Sequence, residues 1–187
     1  MSDGLRRIRP SHLPGDPPPH AEIESMVRVD HAGEYGATRI YEGQLAVLGR
    51  SRGRDAIRRM AEQEQRHLAA FEALMRSRQA RPTVLTPLWH AAGYALGAAT
   101  ALLGERAAMA CTVAVEEVID EHYAGQAERL GGADPELAAA IVEFRADELA
   151  HRDAALDHGA EETLGYDLLC AVVKTGSRLA IWLSERI

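Results

Sequence analysis

The sequence predicts an all-α bundle, and three observations carry that prediction. Proline-free runs cover residues 20–81, 88–134 and 136–187, with apolar residues at spacings of three and four rather than in alternation. Glycines punctuate these runs at Gly49 and Gly53 and in "GGADP" at 131–135. The two halves of the chain also repeat one arrangement of acids and histidines. The predicted helices are 21–49, 54–79, 88–130 with a candidate break at Gly104, 135–158 and 161–186.

Taken in order, residues 1–20 hold five of the eight prolines, in "PSHLPGDPPP", and read as a flexible leader to a single domain spanning 21–187. The first helix carries Glu34 within "DHAGEYGA", with Ala37, Tyr41 and Leu48 on its face. Gly33 and Gly36 flank it at a cost of roughly 1 kcal/mol each, which suggests either close backbone approach or a frayed helix. The second helix places Glu64 and His67 on a stripe with Met60, Phe71 and Leu74. Residues 82–104 contain no formal charge. They are long enough to span a bilayer, but Pro87, His90 and many small residues favour a helix lying in the membrane interface. Trp89 and Tyr94 suit that depth, and Arg76, Arg78 and Arg81 suit anionic head groups. A buried connector or an oligomer contact is the rival reading. The next helix carries Glu116, with Met109, Thr112 and Tyr123 on its face. The following one carries Glu148 and His151, with Ile141, Phe144 and Ala155. The C-terminal stretch is apolar, with Lys174 and Arg178 four apart, and joins the same candidate membrane surface.

Composition excludes several functions. A formal charge of −7 argues against nucleic acid as a partner. Cys111 and Cys170 form no CxxC, so neither a disulfide framework nor a cysteine-held iron site is expected. The N-terminal arginines precede no apolar core of a secretory signal. Of the 21 cations only Lys174 is a lysine, a skew that reads as coding bias.

The repeat is geometric. Glu34 and His67 are centred on position 50.5, inside the first glycine turn, and Glu116 and His151 on 133.5, inside the second. Antiparallel hairpins therefore bring each lone glutamate level with its Glu-x-x-His pair, and two packed hairpins converge four carboxylates and two imidazoles. Such a cluster buried without counter-ions would be strongly unfavourable. Two divalent metals solve that problem, in the di-iron pattern of ferritin-like four-helix bundles. The mixed oxygen and imidazole ligands suit iron or manganese better than structural zinc. The candidate ligands are Glu34, Glu64, His67, Glu116, Glu148 and His151. Asp147 is either an orienting partner for a ligating histidine or an exposed helix acid. Glu117, His12, His20 and His158 read as solvated. No GxGxxG and no cysteine cluster is present for a bound flavin, nicotinamide or iron–sulfur centre, so electrons must come from outside.

From about residue 23 onward the chain resembles the demethoxyubiquinone hydroxylase family of ubiquinone biosynthesis. The resemblance lies in "VRVDHAGEYGATRIYEGQLAVLGR", "RPTVLTPLWHAAGYALGAATALLG", "MACTVAVEEVIDEHY" and "RLAIWLSERI". It implies a di-iron monooxygenase, peripheral on the cytoplasmic face of a bacterial cell membrane, that hydroxylates the ring of a polyprenylated benzoquinone. It implies two iron ions per chain, O₂ as co-substrate and external NADH as reductant. The six candidate ligands hold the irons, with Glu64 and Glu148 as bridges. His122, Tyr123 and Arg178 take part in substrate or electron delivery, and His122 and Tyr123 are expected at the pocket mouth. Other ubiquinone-biosynthesis proteins and a homo-oligomer are open as partners. A ferroxidase cage does not explain the uncharged segment, and a rubrerythrin-like peroxidase would need four cysteines. A metal-free membrane adaptor would hold no iron.

Overall fold

The computed structural model describes residues 19–187, which form six α-helices; among the described residues there is no strand. The Pro-rich leader expected over 1–20 falls almost wholly outside them. The helices are α1 (Pro19–Val47), α2 (Arg52–Arg78), α3 (Thr86–Leu102), α4 (Glu105–Leu130), α5 (Pro135–Asp157) and α6 (Tyr166–Ser184), with a 3₁₀ turn at Ala160–Glu162 before α6.

Local chemistry sets the boundaries. Ser51 caps α2 by accepting from the Arg54 N–H at 3.0 Å, and the Arg54 guanidinium turns back onto the carbonyls of Leu45 and Leu48 to close α1. Asp134 caps α5 by accepting from the Leu137 N–H at 3.0 Å, and Pro135 takes the first helical turn. The predicted 88–130 helix is two helices. Gly104 adopts φ 119 at the start of α4, a region closed to most side chains, and it breaks the run. The last helix begins at Tyr166, five residues later than predicted, because Gly159 (φ 79) and Gly165 (φ 73) interrupt the chain in left-handed conformations.

α1–α2 and α4–α5 form the two predicted hairpins, and together they make the four-helix core. The repeat goes further than two pairs. α3 packs on α1 and α6 packs on α4, so each half is a three-helix unit. This outer cover explains why α1 and α4 are buried around most of their circumference, with Ala107 to Glu116 inaccessible without interruption. α1 runs unbroken through Gly33 and Gly36, and a Cβ at either would meet nothing within 4 Å. The expected close backbone approach is found at Gly36 from the α3 side, where a Cβ on Gly93 would stand 2.9 Å from the Gly36 carbonyl oxygen, and it extends along α1 through Gly43 and Gly97. A Cβ on Gly97 would overlap the Ile40 backbone, and one on Gly43 would overlap the Tyr94 carbonyl. α3 thus lies backbone-to-backbone on α1.

No described helix is long and apolar enough to cross a membrane. α3 turns Gly93, Gly97, Thr100 and Ala101 inward and leaves Leu88 and Leu102 exposed, the latter at 75 %. Trp89 is half-buried and donates from Nε1 to Ser184 Oγ at 3.0 Å, tying α3 to the end of α6. Several cations expected at a lipid surface are engaged within the protein. Arg78 forks onto Asp134 at 2.7 Å, Lys174 pairs with Glu117, and Arg178 reaches Glu121 Oε2 at 2.9 Å. The last two are on α6 and join it to α4.

Candidate metal centre

The predicted stripes point inward on all four core helices. On α2, Met60, Glu64, His67, Phe71 and Leu74 are buried; on α5, Ile141, Phe144, Glu148, His151 and Ala155 are buried. Glu34 on α1 and Glu116 on α4 complete a cluster whose six residues are each at most 4 % exposed.

The ligand atoms fall into two groups that share two members. Glu34, Glu64, His67 and Glu148 form one, and Glu64, Glu116, Glu148 and His151 form the other; within each, the atoms lie within 4.8 Å of one another. The shared carboxylates each split their oxygens. Glu148 presents Oε1 to His67 Nδ1 at 3.2 Å and Oε2 to His151 Nδ1 at 3.3 Å. Glu64 presents Oε2 to His67 Nδ1 at 4.0 Å and Oε1 to His151 Nδ1 at 3.1 Å. Glu34 Oε2 stands 3.5 Å from His67 Nδ1.

The interior lacks hydrogen-bond partners for this many acceptors. Glu34 Oε2, both Glu64 oxygens, His67 Nδ1, Glu116 Oε2 and Glu148 Oε1 are buried and unpartnered. Unsatisfied buried polar atoms are rare, and their convergence here fits a pair of divalent cations. The protonation behaviour shows the same strain. Burial, then the charge of Glu148, pushes Glu64 and Glu116 well above the ordinary carboxylate range. Burial alone would lower His67, but the carboxylates of Glu148 and Glu34 facing it carry it up to about 10. A cation at His67 Nδ1 would replace that proton.

Around the cluster, supporting groups repeat with the helices. Tyr123 on α4 donates to Glu34 Oε1 on α1, and Tyr41 on α1 donates to Glu116 Oε1 on α4, so each tyrosine holds the glutamate of the other repeat. Burial and these carboxylates push both phenols well above the ordinary tyrosine range and keep them as donors. Behind the histidines, His67 Nε2 lies 3.0 Å from Asp147 Oδ2 and His151 Nε2 lies 3.3 Å from Gln63 Oε1. Both imidazoles therefore aim Nδ1 inward. Gln44, buried like its counterpart Gln126, donates to the Ala108 carbonyl at 3.0 Å.

The expectation that Tyr123 sits at a pocket mouth is corrected. It is 2 % exposed, and its hydroxyl faces Glu34, because two turns along α4 from Glu116 leads across to α1 rather than out to the surface. His122 stands to one side, with Nε2 at 3.1 Å from Asp30 Oδ1, which also accepts from Gln126 at 2.7 Å. Arg178 lies outside the cluster in its surface pair with Glu121. From the sequence Tyr41 is placed on the face of Glu34 but given no role, and Gln63 and Asp30 are not singled out. The repeat could have found two of them, since Tyr41 stands to Glu34 as Tyr123 to Glu116, and Gln63 precedes Glu64 as Asp147 precedes Glu148.

Comparison with known proteins agrees with this geometry. The family model for ubiquinone biosynthesis protein COQ7 matches residues 21–184. The chain belongs to the COQ7 family. A relative from Rhodospirillum rubrum, named 3-demethoxyubiquinol 3-hydroxylase, is 54 % identical over 183 residues, covering 97 % of this chain and 86 % of its own. A human relative, named NADPH-dependent 3-demethoxyubiquinone 3-hydroxylase, mitochondrial, is 50 % identical over 185 residues, covering 97 % and 85 %. The Saccharomyces cerevisiae 5-demethoxyubiquinone hydroxylase, mitochondrial, is 40 % identical over 184 residues, covering 89 % and 79 %.

Proposed function

We propose that this chain is a di-iron hydroxylase of ubiquinone biosynthesis, acting on the benzoquinone ring of a polyprenylated demethoxyubiquinone-type substrate at a membrane surface. The observation that carries the reading is the pair of ligand groups sharing Glu64 and Glu148, with each shared carboxylate offering one oxygen to either side. The names of the relatives supply the reaction class and the substrate type.

Glu34 and His67 would hold one iron, Glu116 and His151 the other, and Glu64 and Glu148 would bridge them. When bound, such a pair reduces O₂ and delivers one oxygen atom to the ring. The chain's own residues do the rest. Tyr41 and Tyr123 fix the terminal glutamates from across the bundle, and Asp147 and Gln63 fix the histidine rings. Apolar packing by Phe71, Phe144 and Met60 keeps water away from the cluster. His122, linked to Asp30 and Gln126, sits beside Tyr123 with ring centroids 6.1 Å apart and can pass protons toward it.

A polyprenyl tail stays in lipid while its ring reaches the metals. The exposed leucines of α3, with Leu168, Val172, Leu179 and Trp182 of α6, give the chain an apolar exterior suited to peripheral membrane contact. Ala37, Ile40, Tyr41, Thr112 and Val115 meet beside Glu116 between α1 and α4 and leave no room for a water molecule, so admission of the ring from this side would require these side chains to move. Electrons come from an external nicotinamide. NADH is the expectation from the resemblance, whereas the human relative's name specifies NADPH.

The test is to load the protein with iron, reduce it without oxygen, add a demethoxyquinone and then ¹⁸O₂. The expected product carries one labelled oxygen on the ring, and parallel turnover with NADH and NADPH ranks the donors. An iron-loaded chain that leaves the ring unlabelled would overturn the reading.

A further inference from the structure

The duplicated bundle makes an internal control of itself. Four of the supporting contacts are matched between the repeats: the bridging glutamates, the terminal glutamates, the tyrosines that hold them, and the inward Nδ1 of each histidine. Other supporting positions are not matched. Behind His67 stands the carboxylate of Asp147, at 3.0 Å; behind His151, at the equivalent place one residue before the bridging glutamate, stands the neutral amide of Gln63, at 3.3 Å. Both partners are half-buried, so neither contact is dissolved by full exposure. A second inequality has the same sense. Asp30 lies one turn before Glu34, where the second repeat has Thr112 one turn before Glu116.

A carboxylate accepting the Nε2–H bond draws that proton more strongly than an amide does. The imidazole becomes more electron-rich at Nδ1, and a cation there is held more firmly. We infer that the two halves of the cluster are unequal metal positions: the half containing His67, backed by Asp147, binds its divalent ion more tightly than the half containing His151, backed by Gln63. Gln63 and Asp147 are positioning residues, since each acts through the histidine in front of it. This rests on the two-metal reading of the cluster and specifies the order in which its halves fill.

The experiment titrates the full-length, metal-stripped chain with Co²⁺ under anaerobic conditions, following heat and the visible absorption of the ion. Wild type is expected to bind in two resolvable steps separated by roughly tenfold in affinity. Asp147→Asn, which keeps shape and removes charge, should weaken the tighter step by roughly tenfold and leave the weaker one in place. Gln63→Glu should tighten the weaker step and bring the two together. Melting curves of the metal-stripped variants check that both are folded, and a purely structural role would not move the two steps separately. Equal steps in wild type, or both variants shifting both steps alike, would overturn the inference. Uptake of fewer than two cobalt ions by wild type would overturn the two-metal reading itself, whatever the order of filling.

Discussion

α3 and α6 occupy equivalent places, each third in its repeat and each laid on its repeat's first helix, yet they are attached by different means. α3 carries no formal charge and meets α1 through Gly43, Gly93 and Gly97, close enough that added Cβ atoms would strike backbone. α6 carries Lys174 and Arg178, which bind Glu117 and Glu121 one turn apart on α4, and a Cβ on its Gly176 would meet nothing. The core helices α2 and α5, by contrast, repeat the Glu-x-x-His pair in register, Glu64 and His67 matching Glu148 and His151, although the residues around those four differ. The difference teaches what each surface is for. Positions that face the proposed metals are held to one geometry, whereas the outer helices need only stay attached and present an apolar exterior.

Four changes break or sharpen that comparison. The largest effect is expected on membrane contact. Leu88→Glu with Leu102→Glu on α3 should abolish most flotation with anionic vesicles while iron content stays near wild type, because a charge is costly in an apolar layer. The corresponding Leu168→Glu with Leu179→Glu on α6 should weaken flotation less, since that helix already carries charge near its rim. Equal flotation of the folded α3 variant and wild type would remove α3 from the lipid face.

Next come the helix contacts. Gly97→Ala should cost about 1–3 kcal/mol by overpacking against Ile40, whereas Gly176→Ala should gain about 0.4–1 kcal/mol by stiffening the unfolded chain. Thermal unfolding of the two single variants decides it.

The caps differ in chemistry, and pH separates them. Ser51→Ala and Asp134→Ala should each cost about 1 kcal/mol near neutral pH. The bond from Arg78 holds the Asp134 carboxyl below its ordinary range. Its contribution is therefore present above the ordinary aspartate pKa and is lost as pH falls through the lowered native value. Unfolding measured across the acid range should show the Asp134→Ala penalty fading while the Ser51→Ala penalty persists.

The smallest effect is at Glu117. Its pair with Lys174 is partly exposed, so Glu117→Ala should cost under about 1 kcal/mol, shrink further in salt, and leave most turnover intact.

Much of this fold was legible because helical periodicity and turn glycines are local signals. The two hairpins and the six clustered side chains follow from the spacing of Glu34, Glu64, His67, Glu116, Glu148 and His151 about two turns. The break at Gly104 was visible as a glycine, but its consequence, a separate α3, depends on how Gly97 docks on Ile40. Side-chain direction was less accessible. Tyr123 was placed at an opening because periodicity fixes a face and not the neighbour that face meets; the neighbour is Glu34. Arg78, Lys174 and Arg178 were assigned to lipid because their partners Asp134, Glu117 and Glu121 are distant in sequence. The uncharged segment reads as lipid-facing as a whole, yet its Leu96 packs toward the core, for the same reason.

The central claim is that Glu64 and Glu148 are shared by two metal positions, and iron content after anaerobic loading tests it most directly. Wild type should hold about two iron ions per chain, as the six-ligand pattern requires. Glu116→Ala removes a ligand from one group only and should retain close to one, whereas Glu148→Ala removes a member of both and should lose most of the iron together with ring hydroxylation. Two firmly held irons and wild-type hydroxylation in a folded Glu148→Ala variant would contradict the account.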